Sequence, residues 1–171
     1  VQRLSLDDLS VTGQVRVETN PGDIVVSEDK TRLVVSHFEL TRATAPDVTI
    51  AVDVAPTLRV RGAREALQHV LQNLVDNAVR HGGGAVEIAA TADATTLTLT
   101  VRDRGVGIAP AHRERVVERF YRVPGTPGDG SGLGLAIVAE LVRGLGGTLR
   151  LDDNVPRGTV VTITLPRFTE A

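Results

Sequence analysis

Three short stretches of this 171-residue chain carry residue types whose spacing could do chemistry. In the first, Asn73 and Asn77 lie four apart, so on a helix both carboxamides leave one face. Arg80 lies one turn further along the same stripe, with His69 and Asp76 beside it. Neutral oxygen acceptors next to a guanidinium suit a hydrated Mg²⁺ bridging phosphates, because that ion keeps most of its waters and takes few protein ligands.

The second stretch is Asp103-Arg104-Gly105-Val106-Gly107, where an apolar alternation ends in a turn with two glycines. An ionised carboxylate there can accept from an exocyclic amine such as that of adenine, and the missing side chains let a flat ring come close. Guanine would instead set its oxygen against an unpaired carboxylate. The third, Gly130-Ser131-Gly132-Leu133-Gly134-Leu135, is a glycine turn running into a helix, whose exposed first amides can hold phosphate oxygens. No Gly-x-Gly-x-x-Gly can be laid over it, so it is not the dinucleotide fingerprint. Taken singly, the three also fit a solvated helix face, an ordinary Asp-x-Gly turn and a flexible loop.

The elements that must position these groups follow from periodicity. Residues 1 to 27 read as short apolar runs around a turn at Asn20-Pro21-Gly22-Asp23, with Val15, Val17, Ile24, Val25 and Val26 favouring strands. Leu33, Val34, His37, Phe38 and Leu40 cluster at helical spacing and predict a helix over Thr31 to Thr44, before Pro46. Val48, Ile50 and Val52 alternate as a strand. The clearest element is a helix from about Ala63 to Arg80, with Ala66, Leu67, Val70, Leu71, Leu74, Val75 and Ala78 on one half of the wheel. Gly82-Gly83-Gly84 ends it. A hairpin is predicted over Ala85 to Thr91 and Thr96 to Asp103. A short helix is predicted from Pro110 to about Phe120, a mobile glycine- and proline-rich loop over Val123 to Ser131, and a small apolar helix from Leu133 to Leu145. Strands over Thr148 to Leu151 and Thr159 to Leu165 close the chain. The order predicts an α+β fold, a two-layer sandwich with helices on one face of a mixed, mainly antiparallel sheet.

Composition narrows the chemistry. A formal net charge of -2 makes no large positive field, so nucleic acid is not an expected partner. The absence of cysteine removes disulfides, thiol catalysis and thiolate metal sites. No apolar run approaches the roughly 20 residues needed to span a bilayer, so these residues are not expected to insert in a membrane. Lys30, within Ser27-Glu28-Asp29-Lys30-Thr31, is the only lysine. That context is neither a P-loop nor the strand lysine of a protein kinase, so nucleotide chemistry here needs another fold.

Taken in order, Asn-x-x-x-Asn-Ala-x-Arg-His, Asp-x-Gly-x-Gly-Ile, Glu-Arg-Phe-Tyr-Arg, Gly-x-Gly-Leu-Gly-Leu and a closing Gly-Thr strand resemble the catalytic, ATP-binding domain of sensor histidine kinases, of the Bergerat superfamily. The resemblance covers about Val48 to Arg167. It implies an N-terminal segment over 1-47 and a catalytic domain over 48-171. It implies ATP and Mg²⁺ as cofactors, with Asn77 as the metal ligand and Asn73 near the phosphates. Arg80 stands where a lysine is usual in the family and His81 where an aromatic is common; arginine keeps the charge and adds a fork for two phosphate oxygens.

By the same resemblance Asp103 reads adenine, Gly105, Gly107 and Ile108 form the turn beside the base, and Thr159 partners Asp103 through water. Phe120 matches the phenylalanine box, followed by Tyr121, and Arg122 is a lid arginine reaching the γ-phosphate. Residues 121 to 131 form the ATP lid, and Gly130, Ser131, Gly132, Leu133, Gly134 and Leu135 its phosphate end. Hydrolysing relatives such as gyrase, the Hsp90 chaperones and the MutL repair proteins carry a glutamate four residues before the magnesium asparagine; here that place is Asn73, and a neutral amide cannot be a general base. The resemblance therefore implies transfer to a protein acceptor: a histidine on a separate dimerisation domain, oriented with help from Asp76, and then a response regulator. It also implies a cytoplasmic domain of a membrane-bound homodimer.

Ser36-His37-Phe38-Glu39-Leu40-Thr41-Arg42 is similar to the family's phosphoacceptor motif, but with an inserted residue and too little chain before Asn73 for the intervening helical hairpin, so His37 is expected to be structural. The alternatives are an anti-sigma factor serine kinase or ATP-driven clamp of the same superfamily, and a non-catalytic nucleotide-binding module.

Overall fold

The computed structural model describes residues 13–16, 24–26, 33–35, 49–54, 64–126 and 130–167. Its elements are β1 (Gly13–Arg16), β2 (Ile24–Val26), β3 (Leu33–Val35), β4 (Thr49–Val54), α1 (Arg64–His81), β5 (Ala85–Ala92), β6 (Thr96–Asp103), α2 (Pro110–Arg113), α3 (Gly134–Gly144), β7 (Thr148–Asp153) and β8 (Thr159–Pro166). A six-stranded sheet runs β1-β4-β5-β6-β8-β7, and β2 and β3 make a separate antiparallel pair. Only β4 and β5 pair in parallel, because α1 is the crossover between them; the other neighbours in the sheet are antiparallel.

The alternation expected of the strands is the one the fold uses. Val86, Ile88 and Ala90 of β5, Leu97, Leu99 and Val101 of β6, and Val161, Ile163 and Leu165 of β8 are buried. They meet Leu67, Val70, Leu71, Leu74, Val75 and Ala78 of α1 and Val138 and Val142 of α3. Ala66, on the same side of the wheel, is only half-buried. Helix α1 packs on β5, β6 and α3, and α3 on β7, so both long helices lie on one layer over the sheet. Burying each such Leu or Val contributes roughly 1.5–3 kcal/mol, which makes this layer the main source of stability. Among the described residues no helix is long and apolar enough to cross a membrane.

Two predicted helices differ. Leu33–Val35 is a strand paired with β2, not part of a helix over Thr31 to Thr44. Two consecutive β-branched valines favour the pleated backbone once a partner strand is in place. The rest of that segment, with His37, the turn at Asn20-Pro21-Gly22-Asp23, Lys30 and Pro46, lies outside the described residues. The helix from Pro110 stops at Arg113 rather than near Phe120. Beyond it the amides of Arg115 and Glu118 reach back only three residues, to His112 and Arg115, and Phe120 adopts φ +66°. Val116 and Val117, poor helix formers, bury against the core instead, and that contact decides the local path.

The predicted hairpin, the small apolar helix and the two closing strands all form, each within a few residues of its expected bounds.

Candidate functional site

Helix α1 presents the asparagine stripe toward the start of α3. The Asn73 Nδ2 donates to the His69 carbonyl at 2.8 Å, one turn back, which settles the carboxamide's orientation. A Cβ placed on Gly134 would lie 3.2 Å from Asn73 Oδ1 and 3.5 and 3.7 Å from Asn77 Nδ2 and Oδ1. The first residue of α3 thus sits against both carboxamides, and only a glycine leaves that gap open. Helix α3 has no side-chain cap at Leu133, so its leading amides remain available to an anion beside the asparagines.

Charges gather at the end of α1. Burial raises the Asp76 carboxyl above its usual range, with the Arg80 guanidinium pulling the other way. Burial lowers the His81 imidazole below its usual value; Arg80 and Arg122 add to this and Asp103 opposes it. Arg80, His81, Asp103 and Arg122, from the end of α1, the turn after β6 and the segment after Phe120, therefore share one field although Arg122 lies 42 positions beyond Arg80 in sequence (122 minus 80).

Asp103 ends β6 and is 9% exposed. Its Oδ1 accepts from the Gly105 amide at 2.9 Å and from the Thr159 amide at 3.1 Å. Both bonds fall on one oxygen, which leaves Oδ2 without a hydrogen-bonding partner among the described residues. The contact of Thr159 with Asp103 is a direct backbone bond. Gly105 packs so tightly that a Cβ on it would fall 1.8 Å from the His81 carbonyl oxygen. That contact seats the turn against the end of α1 and brings the second stretch to the first. Gly107 continues the turn toward Gly158, and Ile108 packs on the core edge.

The ends of the segment expected to form the lid meet: the Phe120 amide donates to the Gly132 carbonyl at 2.9 Å. Phe120 itself is 73% exposed, in a left-handed conformation that costs a non-glycine residue roughly 1–2 kcal/mol. Tyr121 turns inward, where its hydroxyl shares a 2.7 Å hydrogen bond with His112 Nδ1 and the Arg115 guanidinium stacks 4.2 Å from its ring centre. Arg119 pairs with Glu140 of α3 at 2.7 Å. Arg122 Nη2 donates to the Thr126 carbonyl at 3.1 Å. A Cβ on Gly130 would meet nothing within 4 Å, Ser131 is exposed, and Leu135 packs on the core. Residues 127–129 lie outside the described residues.

Asn73, Asn77, Gly134, Arg80, His81, Asp103 and Arg122 are therefore brought to one rim, whereas the Phe120 side chain is exposed and the Tyr121 hydroxyl is bonded to His112. Sequence reasoning missed His112, Arg113, Asn154 and Arg157. The turn signal Asn154-Val155-Pro156 was there to be read, but not which carbonyls its side chains would meet.

The fold is of the Bergerat type, in which one rim of a two-layer α+β sandwich is built to receive a nucleotide. A family model described as histidine kinase-, DNA gyrase B-, and HSP90-like ATPase matches residues 62–169, and the chain belongs to that family. The sensor-like histidine kinase SenX3 of Mycobacterium tuberculosis is 36% identical over 154 residues, covering 87% of this chain. The chain spans only 36% of SenX3, so it matches one part of a longer relative. The solved structure of the mycobacterial sensor histidine kinase MprB has a TM-score of 0.65 at 36% identity, covering 71% of this chain and 84% of that one. Full-length ShkA, solved in complex with AMPPNP, has a TM-score of 0.60 at 34% identity, covering 71% of this chain and 26% of that one.

Proposed function

We propose that this chain is the ATP-binding catalytic domain of a two-component sensor histidine kinase. It transfers the γ-phosphate of ATP to a histidine on a separate dimerisation domain of the same protein, which passes it to an aspartate of a response regulator. The observation that carries this reading is the meeting of the uncapped start of α3 with the carboxamides of Asn73 and Asn77, so close that a Cβ on Gly134 would lie 3.2 Å from Asn73 Oδ1 and 3.5 Å from Asn77 Nδ2. The ATP analogue bound by ShkA supports the choice of nucleotide.

Each residue then has a physical task. Asp103 Oδ2 accepts from the adenine amine, Arg80 and Arg122 neutralise phosphate charge, and the amides from Gly130 to Leu135 hold phosphate oxygens. The donor set fits Mg²⁺. Two neutral carboxamides lie beside a phosphate site and, among the described residues, no group of three His, Asp or Glu side chains competes for a metal. Asn77 would hold the ion, whose chemistry when bound is to neutralise charge on the phosphate oxygens. Asp76 orients the incoming imidazole. Asn73 cannot activate water, so the domain alone turns over little ATP. Residues 1-47 form an N-terminal segment leading into or packing on the domain of 48-171, as the pairing of β1 with β4 supports, and the full-length protein is a membrane-bound homodimer with this domain in the cytoplasm.

Mixing the 171-residue chain with its acceptor domain and labelled ATP tests this directly: label should arrive on histidine, and Asn77→Ala should abolish it. Label released as free phosphate by the chain alone, at the same rate, would sink the reading.

A further inference from the structure

Outside the residues that the family resemblance singles out, three polar side chains grip the backbone of the turn from Asp103 to Ile108. Asn154 Nδ2 donates to the Asp103 carbonyl at 2.7 Å. Arg157 Nε donates to the Gly105 carbonyl at 3.0 Å. Arg113 Nε donates to the Ile108 carbonyl at 3.0 Å and its Nη2 pairs with Asp153. The start, middle and end of the turn are each held from outside. Two of the three donors come from the single connection between β7 and β8, which is itself closed by an Asn154 amide to Gly158 carbonyl bond of 3.0 Å.

These bonds matter because of what the carboxylate does. Asp103 Oδ1 is spent on the Gly105 and Thr159 amides, so the direction of Oδ2 is set by where the backbone of residues 103 to 105 sits relative to β8. Asn154 and Arg157 fix that backbone at its two carbonyls. Neither side chain touches the carboxylate.

We infer that Asn154 and Arg157 are positioning residues for base selection, holding the 103–105 backbone so that Asp103 Oδ2 faces the exocyclic amine of the nucleotide. This rests on the reading of Asp103 as the adenine-reading carboxylate. Removing either donor lets the turn shift by fractions of an ångström, which weakens a directional bond to the base while the asparagines, Arg80 and the start of α3 still hold the phosphates.

The test compares ATP with inosine triphosphate, whose base carries a carbonyl oxygen in place of the amine, by calorimetry on the 171-residue chain with magnesium. Asn154→Ala and Arg157→Met, which keeps the arginine stem without a donor, should each lower the preference for ATP about fivefold, mainly through weaker ATP binding. Arg157→Gln places an amide nitrogen at the same covalent distance as Nε and should restore the preference. Equal losses for both nucleotides, or an unchanged preference while Asp103→Asn abolishes it, would overturn the inference. An unchanged preference in Asp103→Asn would instead remove the base-reading role of Asp103, a separate result. If Asn154→Ala does not fold, the Arg157→Met and Arg157→Gln pair decides alone.

Discussion

Gly158 lies so close to Asp103 that a Cβ on it would fall 2.0 Å from the Asp103 carbonyl oxygen, and its φ is +117°. The approach of β8 to the turn that ends β6 is thus set by a residue with no side chain. Gly158→Ala must both strain its own backbone and push the two segments apart. We expect a loss of at least about 2 kcal/mol in urea denaturation. ATP should bind more weakly in the fraction that remains folded, since the Thr159 amide moves with Gly158.

Gly134→Ala separates stability from binding. The nearest atom to the new Cβ is the end of the Asn73 side chain, which can swing away, and alanine favours a helix over glycine. Stability should change by less than about 1 kcal/mol, while ATP affinity falls at least about fivefold as the carboxamides leave the start of α3. A thermal melt and a calorimetric titration on the same sample check both halves. An unaltered affinity would take the phosphates away from this rim.

His81 makes stability depend on pH. Burial, Arg80 and Arg122 hold its folded-state value below the 6.5 of a free imidazole, with only Asp103 opposing. A depressed value means the folded state binds a proton less readily than the unfolded one. The contribution is therefore fully present above about pH 6.5 and is lost as pH falls through the depressed folded value. In His81→Gln the decline in melting temperature below pH 6.5 should be shallower than in the parent. Parallel curves for the two proteins would show that His81 is not responsible.

Asp93 acts in the opposite pH range. Thr96 Oγ1 donates to its Oδ2 at 2.6 Å, and the amides of Thr95 and Thr96 donate to its Oδ1 at 2.8 Å each. These bonds, the Thr96 hydroxyl foremost, lower its carboxyl to about 2. The stabilisation of the β5–β6 turn is present above the ordinary value of 3.8 and disappears as pH falls toward 2. Asp93→Ala should melt below the parent at pH 7, and the gap should close between pH 4 and about pH 2.

What the sequence by itself determined was whatever depends on near neighbours along the chain. A period of 3.6 put Leu67, Leu71, Leu74 and Ala78 on the core side of α1 and Asn73, Asn77 and Arg80 along its edge. A period of 2 placed Leu97, Leu99 and Val101 inward and left Asp103 at the strand end. The order of the motifs was enough to identify the family. Where local preference was weak, it failed: Leu33-Val34-Val35 took a strand because a partner strand was present, and the path after Arg113 followed the burial of Val116.

Only the tertiary structure decided which distant groups meet. The contact of Gly134 with Asn73 and Asn77, the two amides on Asp103 Oδ1, and the grip of Asn154, Arg157 and Arg113 on the same turn all join segments far apart in sequence. Such contacts depend on how α1 and α3 cross and how β8 settles between β6 and β7. The packing of whole layers sets those distances, and no spacing within a single segment records it.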